Sequence, residues 1–369
     1  MFTGQGAQRV GMGSDVDEAA KSKAVWDCAC DISGFDVRRM CWKGPMGKLS
    51  ETRYQQVAVT AVNLASYYAL KASRLLPEDS VFIGHSVGEY SALHASGALD
   101  LEQTFKAVNA RAIGMQTQAE QTKEAMYAVK GGSIVQVNDV IDAMGLHGQV
   151  VIANDNSPLQ VVIAGNSGIV KQVGTELSGR RLPTVRLAVN GAWHSPLMAG
   201  MLPEYGSLLR SLDIRMPSSQ ILMNRSAQEP LSPQEIRDNL TYHVVETVRW
   251  RETVEKLLQR NKARFLEVGP RKVLCAPVSR HGSDVVGCAQ PSERSARRIA
   301  QPIPSVLASD ATPRCASMAS ADRQMIGDAT PVPDCGSLGS QAQTTHCSQM
   351  LRSLPSHLPA PRLQEAPAC

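Results

Sequence analysis

The stretch Ser80-Val81-Phe82-Ile83-Gly84-His85-Ser86-Val87-Gly88-Glu89-Tyr90-Ser91-Ala92-Leu93 decides how this chain is read. Its first four residues form a short apolar run closed by glycine, the pattern of a buried strand. From Val87 the pattern predicts a helix that stops near Gly97. Between them lies Gly-x-Ser-x-Gly. Small residues on both sides of Ser86 let a strand turn sharply into a helix and lift the hydroxyl above the sheet. The helix N-terminus just beyond supplies free N–H groups and a dipole that favours an oxyanion. Ser86 is therefore a candidate nucleophile, and a serine hydroxyl needs a base within hydrogen-bond reach. Glycines flank serines in many loops, so it is the place of the motif between strand and helix that gives it weight.

Working outward, Asp100 is placed to cap a second helix, with Gln103 three residues on. Leu101, Phe105, Val108, Ala112 and Met115 give that helix one buried face. Arg111 borders this face, and a guanidinium stays charged when partly buried, so it wants an anion. That anion is either an internal acid or a substrate carboxylate held bidentately. Upstream, Gln55 to Leu75 reads as a long helix rich in Val, Ala and Leu. Downstream, strands at Ala125–Val129, Val150–Ala153, Val161–Ala164 and Thr184–Val189 alternate with helices at Val135–Met144 and Ile169–Leu177. The turn Asp155-Asn156-Ser157-Pro158 joins the middle pair as a hairpin. This βαββαβ order predicts a ferredoxin-like small subdomain over about 125–188, inserted in a larger α/β domain. The larger domain resumes at His194 and runs to a strand at Phe265–Val268.

The chain has eight histidines. His194, in Gly191-Ala192-Trp193-His194-Ser195-Pro196, ends a predicted strand and is the candidate base. His85 adjoins Ser86, but successive side chains diverge, so local packing is expected of it. Nine cysteines are present, six of them from Cys275 onward. Cys28, Cys30 and Cys41 lack paired spacing and a nearby histidine, which argues against zinc, and scattered thiols fit a reducing compartment.

The net charge of +4 is small for 369 residues. No basic run points to nucleic acid, no stretch approaches the roughly 20 apolar residues needed to span a bilayer, and no secretory or transit leader is apparent. The default compartment is the cytoplasm. Beyond Ala276 there is no Phe, Tyr, Trp or Lys, and Ser, Pro, Ala, Arg and Cys dominate. Such a composition cannot bury enough apolar surface to offset chain entropy, so residues 279–369 are expected to be a disordered, low-complexity tail, of the kind a shifted reading frame would give. The folded domain is expected at 1–278.

From Phe2 to about Val278 the chain resembles malonyl-CoA:acyl carrier protein transacylases and the related acyltransferase domains of polyketide synthases. The match rests on Phe2-Thr3-Gly4-Gln5-Gly6-Ala7-Gln8, on Gly84 to Leu93, on Arg111 to Gln116, on Gly191 to Ser195 and on Glu267-Val268-Gly269-Pro270, in that order. The resemblance implies an α/β-hydrolase-like large subdomain carrying the ferredoxin-like insert. It implies a ping-pong reaction in which Ser86, activated by His194, takes the malonyl group from malonyl-CoA as an ester. The phosphopantetheine thiol of acyl carrier protein then accepts it. It further implies an oxyanion hole at the backbone N–H groups of Gln5 and Val87, a malonyl clamp at Arg111, and backbone carbonyls rather than an aspartate to orient the histidine. Trp193 stands where malonyl-preferring members usually have phenylalanine. No cofactor and no metal are implied, and stand-alone members are commonly monomers. Arg180, Arg181 and Arg186 are either a docking patch for an acidic carrier or a solvated face.

Three departures from the family carry expectations. Members have a short apolar strand before the glycine-glutamine loop, of which only Met1 and Phe2 remain here, so unpaired neighbours are expected. Thr3 replaces a usual proline and Glu124 a usual glycine. The chain continues well past the closing strand. Two other functions share parts of this pattern: a serine thioesterase or hydrolase, in which Arg111 would have no task, and a truncated, inactive paralogue that only binds carrier protein.

Overall fold

Alternating apolar runs and helical spacing after Thr122 fold into the expected βαββαβ unit, seen here in a computed structural model that describes residues 1–16, 20–260, 263–279 and 288–289. Its elements are β1 (Glu124–Lys130), a helix (Ile134–Ala143), β2 (Val150–Ser157), β3 (Gln160–Asn166), a helix (Ser167–Gly179) and β4 (Thr184–Arg186). The sheet order is β2-β3-β1-β4 and all its pairings are antiparallel, which is the ferredoxin-like arrangement. Ser133 and Gln136 close a full capping box on the first helix. The two helices and the sheet bury Val129, Val137, Ile141, Ile163, Val173 and Leu177 together. Each such side chain contributes about 1.5–3 kcal/mol by leaving water.

Two expectations are corrected in this unit. The residues read as the hairpin turn, Asp155 to Ser157, belong to β2, and only Pro158 and Leu159 turn. The cause is tertiary. β2 shifts register between Ile152 and Asn154 and again between Asp155 and Ser157, and such bulges re-aim a strand. Its outer edge then meets the larger subdomain: Asp155 N–H donates to Val248 O (2.9 Å) and Val248 N–H to Ala153 O (2.9 Å). Arg251 closes on the buried Asp155 carboxylate at 2.9 Å. β4 ends at Arg186 rather than Val189, so His194 lies on a turn and not at a strand end.

The larger subdomain builds a parallel sheet from very short pairings. Ile221 bridges Phe82, Gly84 bridges Phe2, and Phe2 bridges Val268. Beside that last segment, β5 (Phe265–Leu266) pairs in parallel with β6 (Cys288–Ala289). The loss of pairing expected from so short a first segment does not occur. Phe2 N–H donates to Ile83 O (2.8 Å), His85 N–H donates to Phe2 O (3.0 Å), Thr3 N–H donates to Val268 O (3.2 Å) and Val268 N–H donates to Met1 O (2.7 Å). Met1 to Thr3 thus serve as a strand paired on both sides, with Phe2 buried. Thr3 finds a partner as well: its hydroxyl donates to Asn63 Oδ1 (3.0 Å) and Asn63 Nδ2 donates to its carbonyl (2.9 Å).

β6 puts part of this sheet beyond the boundary expected at 278. The remainder of the expected tail lies outside the described residues. Cys275, read among the scattered thiols, is disulfide-bonded. Among the described residues, no helix is long and apolar enough to cross a membrane.

The helix Thr52–Ala72 runs through the middle of the larger core, against Leu101–Gln121 on one side and Ala20–Ser33 on another. It is buried nearly all round, including the polar Gln55, Gln56, Thr60 and Asn63. Asp100 caps the helix Leu101–Gln121 through Gln103 N–H (2.8 Å), and Arg111 on that helix is fully buried.

Candidate active site

Steric demands alone account for the glycines around Ser86. A Cβ on Gly84 would lie 2.0 Å from Gly88 O, and one on Gly88 would lie 2.4 Å from Phe2 O. The strand can therefore fold back over the helix start only if both are glycine. Ser86 itself takes the left-handed conformation at φ 53°, and His194 does the same at φ 58°. Each such residue costs on the order of 1–3 kcal/mol and persists where its surroundings fix it. Asn224 fixes the first, accepting from Ser86 N–H at 2.8 Å and donating to Gly84 O at 2.6 Å. Around the second, Glu124 Oε2 accepts from Ala192 N–H (2.7 Å) and Ser195 Oγ donates to Ala192 O (2.6 Å). Glu124, unusual by resemblance, is thus a buried anchor of the histidine turn.

These two turns bring Ser86 Oγ and His194 Nε2 to 2.8 Å, across 108 residues of sequence. His194 Nδ1 is 2.7 Å from His243 O, which can only accept. Nδ1 therefore carries the proton and Nε2 is left to accept from the serine hydroxyl. Burial holds the His194 pKa well below the usual histidine value, with His243 and Arg111 adding to the effect. Arg111 enters from the other side. Its Nη2 donates to Ser86 Oγ (3.1 Å) and its Nη1 to Gln56 Oε1 (2.6 Å), with the guanidinium 5.8 Å from the Tyr90 ring centre. No ion pair forms between Arg111 and a carboxylate among the described residues.

The other residues singled out in the sequence lie close by. Gln5 follows Gly4, whose Cβ position would meet His85 O at 2.4 Å, so this loop lies directly against the serine turn. The Gln5 side chain donates to Thr52 Oγ1 (3.3 Å). Neither Gln5 N–H nor Val87 N–H finds an acceptor among the described residues. Trp193 is buried with its ring folded over Gly191, and its Nε1 has no partner there. His85 points away from Ser86, 2.8 Å from Asn156 Oδ1 and edge-on to Trp250. Arg180, by contrast, sits on the small subdomain paired with Glu176.

Four residues of this site were not singled out from the sequence: Gln56, Glu89, Asn224 and His243. Polar residues inside an otherwise apolar helix were the available signal for Gln56. Glu89 lies within the matched stretch Gly84 to Leu93 but was given no role there, and Asn224 and His243 carried no signal. A groove of about 420 Å³ opens beside His194 between Ile134, Val151 and Ile152 on one side and Arg225, Val245 and Thr247 on the other. Among the described residues, no group of three or more His, Cys, Asp or Glu is placed to hold a metal ion.

Fold and geometry define an α/β protein with a serine on a strained strand-to-helix turn, a histidine facing it and a ferredoxin-like insert between the two in sequence. The chain belongs to the acyl transferase domain family, whose sequence model matches residues 1–301. It is 33% identical over 282 residues to a polyketide biosynthesis malonyl CoA-acyl carrier protein transacylase of Bacillus velezensis, covering 76% of this chain and 95% of that one. It is 35% identical over 283 residues to the malonyl CoA-acyl carrier protein transacylase of Haemophilus influenzae, covering 74% and 88%. Among solved structures, an acyl carrier protein S-malonyltransferase of Vibrio cholerae superposes with a TM-score of 0.76 at 30% identity, covering 81% of this chain and 98% of that one.

Proposed function

We propose that the chain moves a malonyl group from malonyl-CoA to the phosphopantetheine thiol of acyl carrier protein through a malonyl-Ser86 ester. The observation that carries this is Arg111: a fully buried guanidinium, without an ion-pair partner among the described residues, aimed at Ser86 Oγ. A charge held there in a dry site calls for an anionic acyl group. In the first half-reaction Ser86 Oγ gives its proton to His194 Nε2 and attacks the thioester carbonyl. The carbonyl oxygen becomes an oxyanion held by the N–H groups of Gln5 and Val87. The C–S bond breaks, and the CoA sulfur leaves with the proton from His194. In the second half a carrier thiol gives its proton to His194 and attacks the ester carbonyl. Ser86 Oγ then leaves and recovers the proton. Thioester and ester lie close in energy, so the site has mainly to orient groups and exclude water. The groove beside His194 supplies the approach for the pantetheine arm. Intact-mass measurement after mixing with malonyl-CoA tests the reading: one added malonyl group on Ser86, discharged by a carrier thiol, is expected. Rapid release of free malonate without a thiol would mark a hydrolase instead, and absence of any adduct would overturn the proposal.

Two further outcomes follow from the same site. Because burial lowers the His194 pKa, the base stays neutral below the usual histidine range. The rate of Ser86 acylation is therefore expected to stay steady as the pH falls through the usual histidine range and to drop only below it, a sign set by desolvation. A half-maximal point above the usual histidine value, in rapid-quench acylation, would contradict this. Trp193 adjoins the base in sequence, and on the reading that its buried ring limits room for an α-branch, malonyl-CoA is expected to outcompete methylmalonyl-CoA by about tenfold or more, the usual range for one methyl group in a tight pocket. Equal turnover of the two thioesters in direct competition would remove Trp193 from this role.

A further inference from the structure

Polar contacts link Ser86 and His194 through Glu89, by hydrogen bonds on one side and a close, out-of-line approach on the other. Starting at Ser86 N–H, the path runs to Asn224 Oδ1 (2.8 Å), and from Asn224 N–H to Glu89 Oε1 (2.6 Å). Glu89 Oε2 is 2.8 Å from His243 Nδ1, and His243 O accepts from His194 Nδ1 (2.7 Å). His194 Nε2 returns to Ser86 Oγ. One carboxyl group thus reaches both the turn that presents the serine and the carbonyl that holds the base. Glu89 and His243 are almost wholly buried, and the imidazole rings of His243 and His194 lie 4.7 Å apart. The contact between Glu89 Oε2 and His243 Nδ1 is close but out of line, and neither atom has another partner among the described residues. A buried polar pair left so incompletely satisfied calls for an explanation beyond packing.

We infer that Glu89 and His243 are a positioning pair that holds one exchangeable proton and sets the basicity of His194 from behind. Burial favours the neutral form of both partners: it pushes the Glu89 carboxyl up to about 8 and the His243 imidazole well below its usual value. The other titratable groups facing the pair are Arg111, His85, His194, Tyr90 and Tyr205. Below about pH 8 the pair is uncharged and leaves His194 a weak, neutral base. Once Glu89 ionises, its negative charge raises the proton affinity of His194 and the base strengthens. The proton lost goes to solvent, and no bond other than O–H is broken.

This inference rests on the reading of Ser86 and His194 given above, but its test has a readout independent of it. Infrared difference spectra of the whole chain across pH 5 to 10 are expected to show a protonated carboxyl band at neutral pH that disappears with a midpoint near 8. The band should be missing in Glu89→Gln, where the amide still accepts from Asn224 N–H. In the same range, wild-type acylation is expected to rise about threefold through a second inflection that Glu89→Gln lacks, the size that Brønsted behaviour with a half-transferred proton gives for roughly one unit of added basicity. His243→Gln, which retains the backbone carbonyl, should move the infrared midpoint. A wild-type spectrum without the carboxyl band at neutral pH, or a band that survives in Glu89→Gln, overturns the inference even if no acyl-enzyme ever forms. An upper inflection unchanged in Glu89→Gln overturns it while leaving the acyl-transfer reading intact.

Discussion

Arg111→Ala is expected to lower the rate of malonyl transfer to Ser86 by about 10²–10³-fold, the loss usual when one partner of a desolvated, hydrogen-bonded charge pair is removed. The same variant should gain on uncharged acyl groups. In the wild type an acetyl group would leave the guanidinium buried without an anion, a cost on the order of 1–3 kcal/mol or more that discriminates against it. Alanine removes both the attraction and the penalty, so acetyl-CoA and malonyl-CoA should be used at similar rates. The geometry makes this a clean comparison. Arg111 touches Ser86 Oγ through Nη2 and is held by Gln56 through Nη1, so its removal leaves the Ser86–His194 contact in place. Gln56→Leu is the companion variant: it frees the guanidinium without removing it and should cost less than Arg111→Ala. Mass spectrometric acylation rates with both thioesters decide the matter. Undiminished selectivity for malonyl in Arg111→Ala would place the carboxylate elsewhere.

How much of this was legible in the sequence follows from the range of each interaction. The serine turn was legible because its Gly-x-Ser-x-Gly pattern is local: the demand on Gly84 comes from Gly88 itself, although the demand on Gly88 comes from Phe2 and Thr3 far off in sequence. The ferredoxin-like unit was legible because strand and helix periods persist over whole elements. The burial of Arg111 was legible from its place beside an apolar stripe, while the choice between an internal acid and a substrate carboxylate as its anion was not. What escaped are partners joined across the chain. Asn224 reaches Ser86 over 138 residues and Glu89 over 135, and an isolated asparagine or glutamate carries no periodic signal. The same holds for β2, whose bulges and extra length exist because Val248 pairs with its outer edge. The central sheet was legible only as short apolar runs. Several of its contacts are single-residue bridges, and the order that threads Phe2 between Gly84 and Val268 is set by tertiary packing.

His194→Ala is expected to produce the larger loss, about 10⁴-fold in the rate of Ser86 ester formation, the upper range for a positioned general base. The serine hydroxyl would then face only Arg111, a donor that cannot take a proton, and a hydroxyl without a base is a poor nucleophile at neutral pH. The residual rate should climb with pH, because hydroxide would do what Nε2 no longer does. The fold should survive, since the variant removes a donor to His243 O but leaves Glu124, Ser195 and Asn224 holding the two turns. Leaving that buried carbonyl unpaired costs on the order of 1–3 kcal/mol, visible as a lower melting temperature rather than as loss of structure. The informative alternative comes from the neighbouring rings. His243 lies 4.7 Å from His194 and His85 sits next to Ser86 in sequence, and burial keeps both imidazoles neutral and hence able to accept a proton. If His194→Ala retained acylation within about tenfold of wild type, one of them would have to be the base, a loss too small for the principal general base. The double variants His194→Ala with His243→Gln, and His194→Ala with His85→Gln, would identify which. The 2.8 Å contact of His194 Nε2 with Ser86 Oγ, against none for the other two, is the reason to expect neither.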